Sequence, residues 1–356
     1  MKLLAHFGKY LVLAALPMSL AGAAPSIDLD TARELLTPTD VQMKGFFEWL
    51  HQRRAELADG GAKIVQTKMG PIQVKKRGRG PAVICLHGGF GGYDQSFLMG
   101  SFLVDRGFTV YAVSRPGYLG TPISVGSSIE AQADATVALM DALGLKKAAI
   151  YGFSAGSLVA FQVGVRHPDR CSCVVLTGVG VQENQVSGYT LIDLFLKQNV
   201  GVDVPPYGLY LLSQADFPSA LGIMMSVDTK LKGPKYDERV AYVLKNKSQR
   251  DWAHAMAVSL TPFSDRRKGL MADVEAVSTW PQYEAAGQFA AFKPPLLFIN
   301  SRNDNSGSWP QTRAIASKIK TARLITVEGS GHFVWLGVNT AKWEAQMISY
   351  LKKHKP

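Results

Sequence analysis

The stretch Tyr151-Gly152-Phe153-Ser154-Ala155-Gly156 decides what fold this chain is predicted to have. An apolar run at residues 148–150 precedes it and predicts a buried strand, and residues 157–165 predict a helix packed on a sheet. A Gly-x-Ser-x-Gly pentapeptide between a strand and a helix is typical of a tight turn that pushes its serine out at the carboxyl end of the strand. The flanking glycines stand where a side chain would collide with neighbouring backbone. Ser154 is therefore a candidate nucleophile.

Strands and helices alternate on both sides of this turn. The apolar runs predict strands at residues 63–68, 72–76, 82–86, 108–113, 148–150, 171–177, 296–300 and 323–327. Helical periodicity lies between them, at residues 41–57, 96–106, 128–143, 310–319 and 340–351. This alternation predicts an α/β fold with a mostly parallel central sheet of about eight strands and helices on both faces.

The alternation stops between residues 181 and 290. Dense apolar and aromatic residues there predict helices at 189–198, 206–214, 218–225, 236–245, 248–259 and 273–289. We interpret this segment as a helical lid inserted into the sheet domain. The predicted organisation is a signal peptide (1–24), an amino-terminal helical segment (25–61), the first part of the core (62–180), the lid (181–290) and the second part of the core (291–356).

The amino-terminal segment has the three-part layout of a secretory signal peptide. Lys2 and Lys9 flank a short polar start, residues 10–16 form an apolar centre, and Ala21-x-Ala23 offers a cleavage site, with cleavage expected after Ala23. The apolar centre is short for a membrane span, so no stable membrane insertion is expected after cleavage. The alternative is an uncleaved amino-terminal anchor. The protein is expected to be exported, either periplasmic or secreted.

The charge pattern argues against a nucleic-acid-binding surface, and the cysteine content argues against a disulfide framework or a cysteine metal site. The net charge is +11, but the basic clusters at 75–79 and 352–355 lack the interleaved aromatic residues of a nucleic-acid module, so no nucleic-acid partner is expected. Cys85, Cys171 and Cys173 are the only cysteines, and their spacing matches neither a disulfide framework nor a metal site. We expect buried thiols, with Cys171 and Cys173 on the same face of a strand.

Further motifs follow other predicted strands. His87-Gly88-Gly89-Phe90 comes after strand 82–86, and such a glycine run lets backbone N–H groups point into a cavity where an oxyanion develops. Asp304 comes after strand 296–300, and Gly331-His332 after strand 323–327. The carboxyl ends of parallel strands are where α/β sheets bind their ligands, so we expect these residues to meet Ser154.

Taken in this order, the motifs resemble those of the α/β-hydrolase fold family, and the resemblance covers most of residues 62–351. It is closest to lidded serine hydrolases whose oxyanion loop begins with His-Gly-Gly. That group includes carboxylesterases, proline iminopeptidase-like enzymes and carbon–carbon bond hydrolases. The turn Arg115-Pro116-Gly117-Tyr118 also resembles one that many members carry after the preceding strand, and a structural role is expected for it.

The resemblance implies a role for each site residue. Ser154 would be the nucleophile and His332 its base, and Asp304 would fix the imidazole tautomer. Asp273 is the fallback acid, although it lies early in the chain for this motif. The oxyanion donors would be the backbone N–H groups of two residues, Ala155 and either Gly89 or Phe90. No organic cofactor and no metal is implied.

The expected chemistry is two-step hydrolysis of a small-molecule acyl substrate through an acyl-enzyme. The first hypothesis is an exported carboxylesterase acting on small or medium acyl esters. The second is amide, lactone or carbon–carbon bond hydrolysis by the same three residues, and the third is a catalytically silent binding protein. The oxyanion loop reads Gly-Gly-Phe-Gly where iminopeptidases have Gly-Gly-Pro-Gly, which disfavours a peptidase. The sequence carries no signal of oligomeric state.

Overall fold

A computed structural model describes residues 34–179, 203–276 and 279–355. The predicted signal peptide and the predicted helix at 189–198 lie outside these ranges. The strands are β1 (Ala62–Thr67), β2 (Gly70–Gly78), β3 (Ala82–Leu86), β4 (Thr109–Val113), β5 (Ala148–Phe153), β6 (Cys171–Thr177), β7 (Leu296–Ser301) and β8 (Ala322–Val327). The described α-helices are α1 (Asp40–Met43), α2 (Phe46–Asp59), α3 (Tyr93–Gly100), α4 (Ile129–Ala142), α5 (Ala155–Arg166), α6 (Val204–Ala215), α7 (Phe217–Asp228), α8 (Pro234–Lys245), α9 (Lys247–Val258), α10 (Arg267–Ala276), α11 (Trp280–Ala285), α12 (Gln288–Ala291), α13 (Trp309–Lys318) and α14 (Thr340–Lys353).

All eight strands form one sheet, in the order β1-β2-β4-β3-β5-β6-β7-β8. The hairpin β1–β2 is antiparallel, β2 is antiparallel to β4, and every other pair is parallel. Strands β3 to β7 are buried along their whole length, which is why their sequences are continuous apolar runs rather than alternating ones. The predicted α/β fold with a mostly parallel sheet is confirmed.

Helix boundaries differ from the predictions where proline, glycine or a capping group intervenes. The helix predicted at 41–57 is divided at Gly45, and its first part is capped by Thr39, whose side chain forms a reciprocal capping box with Gln42. The helix predicted at 273–289 is three shorter ones, α10 to α12. Pro281 lies in the first turn of α11, and Gly287 precedes α12 with a φ of +71°.

The prediction that Cys171 and Cys173 share a strand face is wrong. At the start of the β5–β6 register, Ala148 lies opposite Cys171 and the next residue, Ala149, opposite Cys173, so β6 carries one extra residue at Ser172. This bulge reverses the alternation of side chains. Cys171 packs in the core cluster on one side of the sheet and Cys173 in the cluster on the other. Both thiols are free and buried, and burial raises the pKa of each to about 12.

Helices α6 to α12 lie between β6 and β7, and we refer to them as the helical insertion. Part of it has its own apolar core, built by Leu221, Met225, Val240, Val243 and Met256. In the described ranges no helix has both the length and the apolar content that a membrane crossing requires. The loops that follow β3, β5, β7 and β8 emerge at the carboxyl edge of the sheet, and the insertion contacts those after β3, β7 and β8.

Candidate active site

Ser154 lies on a strained turn between β5 and α5. Its φ of 52° and ψ of −123° lie in a region that side chains other than glycine rarely adopt. The turn leaves no room for flanking side chains, since a Cβ on Gly152 would lie 2.4 Å from the carbonyl oxygen of Gly156. The N–H of Ser154 donates to the carbonyl of Thr177 at 2.9 Å, which fixes the turn to β6. Ser154 is partly exposed although β5 is entirely buried, so the turn presents its side chain to an opening.

Asp304 and His332 form a buried hydrogen-bonded pair. The imidazole Nδ1 lies 3.1 Å from each carboxylate oxygen of Asp304, and because a carboxylate only accepts, Nδ1–H is the donor. Asp304 also accepts the backbone N–H groups of Ser306 and Gly307, each at 2.8 Å. The carboxylate is thus held in place by its own loop. The opposite ring nitrogen, Nε2, is left as the proton acceptor.

His332 lies beside the end of β5, the strand that directly precedes Ser154. Its ring centroid is 4.9 Å from that of Phe153, the residue directly before Ser154. Both rings pack against Gly178, where an added Cβ would lie 2.8 Å from Phe153 and 3.2 Å from the Cε1 of His332. The structure therefore brings the loops of all three predicted residues to one place at the carboxyl edge of the sheet.

The electrostatic surroundings of His332 favour its charged form. Burial is the largest single influence and lowers the pKa of the imidazole, but the carboxylate of Asp304, its hydrogen bond and the charge of Asp228 together outweigh it. The pKa of His332 is raised above its ordinary value of 6.5 as a result. An imidazole that must accept a proton works only when it is neutral.

We expect the acidic limb of the kcat/KM profile to lie above pH 6.5, because kcat/KM falls as His332 becomes protonated at its raised pKa. Asp304→Asn removes the main influence that raises this pKa, so the residual activity should have its limb at lower pH. The measurement is kcat/KM against pH for both proteins. Asp134→Asn, which alters a partly exposed aspartate on α4, should leave the limb in place. An identical limb in Asp304→Asn would exclude this pairing as the cause.

The predicted oxyanion loop lies directly against Ser154. A Cβ on Gly88 would be 2.9 Å from the Cβ of Ser154, so the backbone passes the serine at close range. Phe90 has a φ of 62°, a value that residues other than glycine rarely adopt. Within the described ranges, the N–H groups of Gly89 and Ala155 donate to no other residue. Gly89, Phe90 and Ala155 are all partly exposed, as donors to a ligand would need to be.

A buried arginine holds this loop from behind. Arg115 donates from Nε to the carbonyl of His87 at 2.8 Å and from a terminal nitrogen to the carbonyl of Gly88 at 3.1 Å. Its backbone N–H donates to Nε2 of His87 at 3.0 Å, which leaves Nδ1–H of that ring to donate to Gly88 at 2.7 Å. His87 is thereby neutral, and burial followed by the charge of Arg115 keeps its pKa well below the ordinary value. With both carbonyls turned toward Arg115, the N–H groups of the loop face the opposite way.

Asp273 is the partner of Arg115, and this corrects its interpretation as a fallback acid. Its carboxylate accepts from both terminal nitrogens of Arg115, one of them at 2.7 Å, and from the hydroxyl of Tyr118. The side chains of Arg115 and Asp273 are 1% and 3% exposed. Asp273 lies on α10, so this ion pair ties the oxyanion loop to the helical insertion. The position of Arg115 at the carboxyl end of β4 was the one sequence signal for this contact.

An apolar group from the insertion covers the front of the same loop. Leu270 of α10 packs close to Gly89, where an added Cβ would lie 3.2 Å from it. The rings of Phe90 and Phe263 have their centroids 5.5 Å apart. These side chains form one cluster with Tyr118 and Val274. An apolar wall therefore stands beside the candidate oxyanion donors.

Similarity to known proteins identifies the family of this chain. A family model described as alpha/beta hydrolase fold matches residues 81–336, which is most of the chain. The chain belongs to the α/β-hydrolase fold family. Among the described residues of this α/β hydrolase, no group of three or more histidine, cysteine, aspartate or glutamate side chains could hold a metal ion.

Individual relatives are similar to this chain at low identity or over only part of its length. A curated 2-hydroxy-6-oxo-6-phenylhexa-2,4-dienoate hydrolase of Comamonas testosteroni is 32% identical over 136 residues, which are 35% of this α/β hydrolase and about half (48%) of that relative. Among solved structures, an alpha/beta hydrolase fold protein from Nakamurella multipartita superimposes with a TM-score of 0.72 at 24% identity, covering 82% of this chain and 99% of that one. An esterase from Exiguobacterium antarcticum gives 0.56 at 18% identity, with coverage of 82% and 99%. These structural likenesses establish the fold.

Proposed function

We propose that this α/β hydrolase is an exported serine hydrolase, a carboxylesterase that acts on small or medium acyl esters. The observation that carries the proposal is the buried pair of Asp304 and His332 beside the strained turn of Ser154. A serine hydroxyl is a poor nucleophile until a base takes its proton, and a base needs a carboxylate to hold its tautomer. The three residues supply these parts in the order along the chain that the resemblance implies.

The proposed reaction has two halves. The hydroxyl oxygen of Ser154 attacks the ester carbonyl while its proton passes to Nε2 of His332, and Asp304 stabilises the imidazolium that forms. The oxyanion is bound by the N–H of Ala155 and that of Gly89 or Phe90. The C–O bond breaks, the alcohol leaves with the proton from His332, and an acyl-enzyme remains. Water, deprotonated by His332, then attacks the acyl group and releases the acid and free Ser154.

The surroundings of the oxyanion loop support an uncharged acyl substrate. The wall of Phe90, Phe263 and Leu270 offers apolar surface to an alkyl chain. The two buried arginines near this loop already have carboxylate partners, Asp273 for Arg115 and Asp94 for Arg266. The name of the Comamonas relative specifies a dienoate substrate. The pairing of both arginines disfavours such a substrate here, because the carboxylate of a dienoate would need an unpaired cation.

The test is to treat the protein from Ala24 onward with a fluorophosphonate probe and with p-nitrophenyl acetate, butyrate and octanoate. We expect covalent labelling of one serine and turnover of the esters, with little cleavage of the matching p-nitroanilides. Labelling without ester turnover would move the assignment to the amide, lactone or carbon–carbon bond hydrolases. If folded protein were not labelled at all, the serine mechanism would be wrong.

Export is a separate part of the proposal. When the full sequence is expressed in a bacterial host with an outer membrane, we expect a product that begins at Ala24 and is recovered with periplasmic markers or in the medium. Amino-terminal sequencing and fractionation measure this. A full-length product that sediments with the inner membrane would instead indicate a retained anchor.

A further inference from the structure

The carboxyl end of α7 continues into a short segment, Asp228–Lys230, that pairs with the loop carrying Asp304. Thr229 forms an isolated antiparallel bridge with Asp304. The N–H of Lys230 donates to the carbonyl of Asn303 at 2.8 Å, and the N–H of Asn305 donates to the carbonyl of Asp228 at 3.2 Å. The residues on both sides of Asp304 are thus bonded to the helical insertion rather than only to the sheet.

The same segment also holds the loop that carries His332. The backbone N–H of His332 donates to the carbonyl of Asp228 at 2.8 Å, and the N–H of Phe333 donates to its carboxylate at 3.1 Å. The hydroxyl of Thr229 lies 3.3 Å from the carbonyl of Ser330. The approach is so close that a Cβ on Gly331 would lie 2.5 Å from a carboxylate oxygen of Asp228. One residue therefore contacts the backbones of both loops.

Asp228 is itself fixed by a buried ion pair. Arg239 of α8 donates to both of its carboxylate oxygens, at 2.7 and 2.9 Å, and to the carbonyl of Leu336 at 2.9 Å. The two side chains are 2% and 1% exposed. A buried carboxylate with two arginine donors and one backbone donor has little freedom to rotate. The network closes into a ring that runs from α8 through α7 to the loop after β8 and back to α8.

We propose that Asp228 is a positioning residue, which sets the separation and orientation of the Asp304 and His332 loops. The inference rests on the proposed function, since positioning matters to catalysis only if His332 is the base. Displacement of either loop by a fraction of an ångström would lengthen the bond between the imidazole and Asp304 and turn Nε2 away from Ser154. Asp228 contacts no substrate and accepts no proton in this scheme.

The alternative is that the pair stabilises the insertion and does nothing more. The charges that face His332 come from Asp304 in its own layer and from Asp228, with Arg239 behind it, in the insertion. Asp228→Asn removes one negative charge and leaves Arg239 without its counter-ion, so the pKa of His332 falls under either account. In Asp228→Asn/Arg239→Met both charges are absent, and the pKa should lie closer to that of the natural protein. A kcat that stays low in this double variant therefore marks positioning, whereas a purely stabilising pair would leave the kcat of the folded protein unchanged.

The experiment uses two readouts on the whole protein. The pKa of His332 is measured by NMR of ¹⁵N-histidine-labelled protein. The reactivity of Ser154 is measured by the rate constant of fluorophosphonate labelling, together with kcat and KM for an ester. For Asp228→Asn we expect a lower pKa of His332 and a kcat lowered by about 10- to 100-fold at nearly constant KM. Asp134→Asn, whose arginine partner Arg166 ends α5 far from Ser154, should change neither.

A folded Asp228→Asn/Arg239→Met protein whose kcat equals that of the natural protein would overturn the proposal. If that variant does not fold, Asp228→Glu takes its place, because it keeps the negative charge and shifts by one methylene the carboxylate that accepts from Phe333 and Arg239. We expect kcat to fall several-fold in Asp228→Glu, and no change would again overturn the proposal. If the natural protein is not labelled, the proposed function fails, while the NMR comparison still reports whether the charge of Asp228 acts on His332.

Discussion

Ser154→Ala is expected to lower kcat/KM for a p-nitrophenyl ester by about 10⁴- to 10⁶-fold and to abolish labelling by a fluorophosphonate. The loss is large because the variant has no atom to form the acyl-enzyme, and the oxyanion donors alone give only residual catalysis. Stability should change little, since alanine keeps the backbone bond from residue 154 to Thr177. Enzyme assay, intact-protein mass and thermal unfolding measure the three effects.

Ser317→Ala is the matched control for this experiment. Ser317 is an exposed serine on α13 whose hydroxyl donates to the carbonyl of Ala314 within its own helix. Both its activity and its labelling should equal those of the natural protein. If Ser154→Ala kept its ester turnover while folded, another nucleophile would have to be sought and the proposed mechanism would fall.

The second large effect is expected at the buried pair of Arg115 and Asp273. Asp273→Ala leaves the guanidinium of Arg115 buried without its carboxylate, which costs about 3–5 kcal/mol of unfolding free energy. Activity should fall as well, because an unpaired Arg115 no longer holds the carbonyls of His87 and Gly88 in place. Urea unfolding and ester turnover measure the two losses on the same samples.

The double variant Arg115→Met/Asp273→Leu separates these two losses. Replacing both members of a buried ion pair by apolar side chains is often close to neutral, so much of the lost stability should return. Activity should not return, because methionine cannot donate to the two carbonyls of the oxyanion loop. Asp251→Asn, at an exposed pair with Lys247, is the control and should shift stability by less than about 0.5 kcal/mol. Recovery of full activity in the double variant would contradict the role given to Arg115.

The sheet could be predicted closely because its physics is local. Strands β3 and β6 begin and end where the apolar runs do, since a strand buried on both faces must be apolar throughout. The site followed from topology, because parallel strands place Ser154, Asp304 and His332 at one edge whatever their distance along the chain. The bulge at Ser172 was missed because one extra residue leaves no mark in an apolar run.

The contacts made by the insertion could not be predicted in the same way. Arg115 and Asp273 are 158 positions apart. The sequence of an amphipathic helix such as α10 does not indicate which residue of another layer its buried carboxylate will contact. Asp228 is a similar case, because its backbone carbonyl does as much as its side chain and any residue carries a carbonyl. Such pairings depend on how two layers dock, and that information is spread over the packing of both.

The attachment of both site loops to the insertion has a consequence for protein engineering. Exchange of segments between homologous enzymes is a common way to alter substrate range, and the natural breakpoints here would fall after β6 and before β7. A chimaera made at those points would lose Asp228 and Asp273 together, leaving Arg115 without its partner in the recipient scaffold. Donor segments should therefore be chosen, or repaired, so that an acid stands at each of these two positions before any new specificity is sought.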